Sequence, residues 1–383
     1  MQGHFFQPAL LGLTHLAVLG WLLPITLGAL HQLVPVVFEA PIRSERAAWI
    51  ALTSYVVGAT GLIGHMWIFS THLGLVMSAV LLAGAILIDV GNLLVTISRA
   101  RTVGLTGWCV IASLFYLLVA APLGLLLAWN LHRMFLYVDH LQPLRAHAHL
   151  ASLGFFAMLI MGVSLKLIEM FMLSHGVSER PAWVALLAFN LGLLVLTAHF
   201  LFGAAPLLFA AGVALLALAI ALYLWQVARL YRHRLRRRTE VAWWHTLMGL
   251  CYLALALSIG ITLGFDLVPA GWRASLTLLY GLFALPGFVG GVIVGQMYKI
   301  VPFLVWFHRF SKHAGLRAIP TASELLGQDI QRVQWLLMHV GFLTCAGGVL
   351  AHRAPLLSIG ALFLLAGAAL FGYGMIAIYR RQP

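Results

Sequence analysis

Apolar residues run along this chain in long blocks, and polar or charged residues gather in the short stretches between them. A helix needs about 20 apolar residues to cross a bilayer. Blocks of at least that order fall at 9–37, 46–69, 72–98, 105–131, 146–174, 180–201, 205–230, 241–264, 272–307, 332–351 and 354–379. The expected fold is all-α: a polytopic membrane protein of eleven or twelve transmembrane helices. The first, fifth and ninth blocks are longer than a span requires, so their helices should tilt or protrude. Pro24 and Pro286 should kink the first and ninth.

Those three long blocks share a phrase. It reads His15-Leu16-Ala17-Val18-Leu19-Gly20-Trp21, then His149-Leu150-Ala151-Ser152-Leu153-Gly154-Phe155, then more weakly Leu282-Phe283-Ala284-Leu285-Pro286-Gly287-Phe288. Seven residues after each aromatic comes Gly28, Gly162 or Gly295. The tails are Gln32-Leu33-Val34-Pro35, Lys166-Leu167-Ile168-Glu169 and Lys299-Ile300-Val301-Pro302. The offsets are 134 and 133 residues, with no slippage inside the phrase. One transmembrane domain, 1–383, is therefore expected to hold three copies of a multi-helix unit (1–133, 134–267 and 268–383) about a pseudo-threefold axis.

Composition agrees: 62% of residues are hydrophobic and 9% charged, with mean hydropathy +1.00. The net charge of +13 does not point to nucleic acid, because its basic residues sit mainly in alternate loops. The richest loop is Arg229–Arg238; Arg43, Arg46, Arg99, Arg101, Arg180, Arg309, Lys312, Arg317, Arg380 and Arg381 fall on the same side. The positive-inside rule then puts the C-terminus in the cytoplasm and the N-terminus outside, in a membrane of the bacterial inner type. Cys109, Cys251 and Cys345 are isolated, which argues against disulfides, thiolate metal sites and covalently attached haem.

Seventeen histidines are many for so apolar a chain. Ten lie toward the outer side, His4 and His140 among them; six lie toward the inside, and His339 is mid-span. Neutral imidazole is the commonest protein ligand for haem iron and copper. His15 and His31 are sixteen residues apart, roughly 24 Å along a helix, and cannot share a metal. His147 and His149 point about 200° apart, so only one faces a given pocket. His15, His149 and His199 each lie in the outer third of a span. His65 and His72 flank a short outer turn and are further candidates. Asp89, with Asn92 one turn on, is the main intramembrane polar feature. Its expected role is helix packing, and no strong intramembrane charge pair is expected.

Three arcs of helices, with histidines at the outer thirds of the repeated ones, resemble subunit I of the haem–copper oxidases, without that family's first helix. The resemblance implies that His15 matches the ligand to a low-spin haem and that His149 or His147 falls at a copper ligand. Ala198-His199-Phe200 stands in the place of the family's histidine pair. The ninth span has no histidine, Leu153 occupies the place of the cross-linkable tyrosine, and 205–230 lacks the channel lysine. The resemblance thus implies a short, diverged member. His147-Ala148-His149, followed after four residues by Gly154-Phe155, is similar to the signature of NnrS-type proteins, which are linked to haem, copper and nitric oxide.

The resemblance implies b-type haem on His15 and His149, and copper on His199 and His147. The expected function is electron transfer, or binding of nitric oxide or oxygen, within the lipid bilayer. If the chain is an enzyme, it is an oxidoreductase of that type. The rival expectation is a cofactor-free protein of the same fold, acting as an assembly partner or small-solute permease. A third is a reductase completed by another subunit, with a cytochrome c partner.

Overall fold

The computed structural model describes residues 7–136, 141–203, 205–236, 239–316 and 318–382. His4, His140, Arg237, Arg238 and Arg317 lie outside them. Eleven helices are long and apolar enough to cross a membrane: α1 Pro8–Val37, α2 Glu45–Trp67, α3 Leu73–Ile97, α4 Leu105–Arg133, α5 Leu141–Met172, α6 Arg180–Phe202, α7 Pro206–Arg232, α8 Val241–Gly264, α9 Gly271–His313, α10 Gln328–Leu350 and α11 Ala354–Tyr379. Each coincides with one of the apolar blocks. Among the described residues there is no strand, only an isolated bridge between Ser174 and Arg234. The chain reads as a multi-pass membrane protein.

Two compact units divide the chain, one within residues 6–237 holding α1–α7 and one within 238–383 holding α8–α11. Inside them, α2 with α3, α6 with α7, and α10 with α11 pack as extensive helix pairs. Each pair follows a helix that bears the phrase. Small residues let these backbones approach: a Cβ at Gly58 would meet Leu82 N, at Gly192 the Gly212 carbonyl, and at Gly341 the Gly360 carbonyl. Ser44 caps α2 by accepting from Ala47 N at 3.1 Å, as N-cap serines do.

All three copies of the phrase are π-helical, at Val18–Leu22, Leu150–Ala157 and Phe283–Gly290. Such widened turns are rare and usually single. Pro24 lies two residues past the end of the first and Pro286 lies inside the third. The second contains no proline, so proline is not what widens the helix. A feature common to the second and third copies is how their glycines are packed. In copy two, a Cβ at Gly154 would strike Tyr116, and one at Gly162 would overlap Cys109. In copy three the same two places, Gly287 and Gly295, meet Tyr252 and His245. Both partner pairs sit seven residues apart on the preceding helix. In copy one Gly20 meets only Leu16 of its own helix and Gly28 meets nothing among the described residues.

Substituting alanine at these glycines separates packing from helix propensity. Gly162→Ala overpacks against Cys109 and is expected to cost about 1–3 kcal/mol, whereas Gly28→Ala is expected to be neutral or slightly stabilising. Thermal midpoints of the two variants in detergent check the contrast; equal midpoints would contradict it.

Candidate functional sites

Three of the candidate histidines are held alike at one ring nitrogen. His15 Nδ1 bonds Leu11 O at 2.9 Å, His147 Nδ1 bonds Ala120 O at 3.0 Å, and His149 Nδ1 bonds Arg145 O at 2.8 Å. A carbonyl only accepts, so each Nδ1 carries the proton, and in a neutral ring the lone pair then resides on Nε2, the atom that ligates metals. The bonds to Leu11 and Arg145 are local, four residues back along the same helix. The bond to Ala120 crosses from α5 to α4, where Gly124 leaves room for the His147 ring. For His15 and His147, Nε2 makes no hydrogen bond among the described residues, and the two imidazoles lie within electrostatic reach of each other.

His149 turns elsewhere. Its ring lies 5.1 Å from that of Phe200, and His199 touches the same Phe200 at 5.9 Å and Phe209 at 4.9 Å. The two-residue offset thus sends His147 toward α4 and His149 toward α6, as helix geometry requires. His65 packs against Gly74, its Nδ1 buried without a partner, while His72 is exposed as the residue before α3. A narrow apolar cleft beside His65, bordered by Leu11, Phe69, Leu75 and Leu131, is too small for a porphyrin plane. No group of three or more His, Cys, Asp or Glu side chains suited to a metal occurs among the described residues.

Two ionisable side chains do meet within the spans: His31 Nε2 and Asp89 Oδ1 lie 2.7 Å apart, joining α1 to α3. Sequence reasoning set His31 aside because it cannot share a metal with His15, and nothing in the local pattern links two residues 58 positions apart. Asp89 is 8% exposed at its side chain, and its second oxygen has no partner. Asp89 thus makes the helix-packing hydrogen bond expected of it, and its neighbours add to it. Asn92 accepts from Ser44 N at 3.0 Å and donates to Ser44 O at 2.9 Å, and Thr96 accepts from Arg43 N at 3.0 Å. These bonds tie the α1–α2 connection to α3.

The unit formed by α8–α11 holds a second imidazole pair that sequence reasoning did not single out. His245 and His339 have ring centroids 5.4 Å apart and exposures of 0% and 3%. Tyr252 Oη lies 3.1 Å from His339 Nδ1. Lys299, in the tail of the third phrase, pairs with Glu240, the residue preceding α8.

No family model and no curated protein sequence matches the chain.

Removing one partner of the His31–Asp89 pair strands the other. His31→Ala is expected to destabilise the protein by roughly 2–4 kcal/mol, somewhat below the fully buried case because His31 is partly exposed. The double variant His31→Ala, Asp89→Ala should recover part of that loss. Thermal denaturation of the three proteins checks it; additive losses would show that the two residues do not interact.

Proposed function

We propose that this chain is a haem-binding membrane protein, a short and diverged relative of haem–copper oxidase subunit I, acting in electron transfer or in the binding of nitric oxide or oxygen. The observation that carries the reading is the pair His15 and His147. Both imidazoles are fixed through Nδ1, both keep Nε2 without a hydrogen bond among the described residues, and both stand within electrostatic reach. Donation of Nδ1–H to a carbonyl orients an axial histidine and strengthens its other nitrogen as a ligand. His147 is thereby favoured over His149 as the partner of His15, and His149 with His199 becomes the pair for a copper ion. When bound, a b-type haem would supply a reversible one-electron couple, or an open iron position for a diatomic gas.

The proposed architecture is three repeat units about a pseudo-threefold axis. It is supported by the π-helical geometry common to the three phrases and by the matched contacts of Gly154 and Gly162 with those of Gly287 and Gly295. The proposed orientation, N-terminus outside and C-terminus cytoplasmic in an inner membrane, is supported by the crowding of basic residues at alternate connections. A cytochrome c or another electron-transfer subunit would then approach from the outer side.

The rival reading, a cofactor-free permease of the same fold, gains one specific support. An intramembrane His–Asp pair such as His31–Asp89 is the kind of group that proton-coupled carriers use.

Optical spectroscopy decides between the two. Protein purified from a haem-replete host is expected to show a Soret band and a pyridine haemochrome of b type, with most of the haem lost in His15→Ala and in His147→Ala. Absence of both signals from the unaltered protein would remove the haem reading and leave the permease.

A further inference from the structure

Buried polar atoms lacking a partner concentrate on α8, α9 and α10. They are both nitrogens of His245, Gln296 Oε1, Tyr298 Oη, Gln334 Oε1, Trp335 Nε1 and His339 Nε2. Nine-tenths or more of buried polar groups in proteins are hydrogen-bonded, and exceptions call for a missing water or ion. These exceptions are neighbours. The His245 ring lies 5.4 Å from His339 and 5.9 Å from Tyr298, and Trp335 lies 4.9 Å from His339. Gln296 Nε2 reaches Thr246, the residue after His245, at 3.4 Å. Gln334 stands close enough to His245 to interact with it, yet neither imidazole nitrogen attains hydrogen-bond geometry.

We propose that His245 and His339 bind one monovalent copper ion inside the α8–α11 unit. The donor set selects the ion. Imidazole suits copper, zinc, iron and nickel, but this cluster contains no carboxylate or thiolate, and no three-ligand group occurs among the described residues. The penalty for burying an ion rises with the square of its charge, so a divalent ion without an anionic ligand is disfavoured here. Copper(I) is the ion of that group that carries a single charge and accepts two nitrogen ligands.

Tyr252 is the positioning residue. With His339 Nδ1–H donated to its hydroxyl oxygen, 3.1 Å away, the lone pair of His339 is placed on Nε2, the atom left without a partner. Tyr252 is itself fixed by stacking on Phe283, at 5.5 Å and 8°, at the start of the π-helical segment Phe283–Gly290. Copy two provides an internal comparison. Tyr116 holds the corresponding place and donates to Asn190 Oδ1 at 2.8 Å, and Cys109 packs against Gly162 as His245 does against Gly295. The scaffold is present around both the second and the third phrase, and the two imidazoles occur only around the third.

This site is independent of the haem reading and is tested apart from it. Metal-stripped protein in detergent is titrated with copper(I) alone against a chromophoric copper(I) chelator, with bound copper counted by mass spectrometry. In a His149→Ala, His199→Ala background, which removes the copper pair proposed above, one tightly bound copper per chain is expected. It should survive His15→Ala and His147→Ala and be lost in His245→Asn and in His339→Gln. Tyr252→Phe should keep the stoichiometry and weaken binding about tenfold or more. If a variant at His245 or His339 fails to fold, X-ray absorption of the copper-loaded His149→Ala, His199→Ala protein still decides, since two nitrogen neighbours at its one copper are expected. Absence of bound copper, a stoichiometry unchanged in both histidine variants, or an absorption spectrum without nitrogen neighbours would overturn the proposal and leave ordered water as the occupant.

Discussion

Inside a bilayer there is no water to satisfy a polar side chain, so each such group within the spans must find its partner in the protein. Several of the polar side chains buried here obey that constraint by linking helices or their connections. Asn92 and Thr96 hold the connection ahead of α2, Tyr116 bonds Asn190, and Ser164 meets Tyr223 at 2.8 Å. His31 and Asp89 meet it through one oxygen of the carboxyl, which His31 Nε2 approaches at 2.7 Å. Against this background the cluster around His245 and His339 stands out, because several of its polar atoms meet the constraint with nothing the chain provides.

The π-helical phrase ties local sequence to these contacts. A widened turn changes which side chains point to a neighbouring helix. In the second and third copies it brings a glycine against a tyrosine of the preceding helix. That tyrosine then reaches a polar residue on the following helix, Asn190 in one copy and His339 in the other. The same backbone device therefore serves packing in copy two and orients an imidazole in copy three. At copy one Tyr55, on the following helix, bonds the carbonyl of Leu19 directly at 2.7 Å.

Much of the fold was legible in the sequence because hydropathy is a property of contiguous residues. All eleven helices fall on the apolar blocks, with the larger differences at the start of α5 and the end of α9. The repeated phrase marked the places of the π-helical turns, although neither glycine nor proline spacing announces that geometry. The sites were less legible. His147 and His149 were recognisable as ligand types facing opposite ways, but which one neighbours His15 depends on how α5 packs against α4. His31 and Asp89, or His245 and His339, occur singly on separate helices, so no spacing rule connects them. Only the tertiary contacts reveal those pairs.

The central claim is that imidazoles within the spans are ligands rather than packing groups. The most direct measurement is a high-resolution cryo-electron-microscopy map of the protein isolated from its membrane without chelators. Non-protein density between His245 and His339, and density continuous with Nε2 of His15 or His147, is expected. Rings closed on one another through direct hydrogen bonds, with Gln334 and Tyr298 filling the space and nothing at His15 or His147, would contradict it.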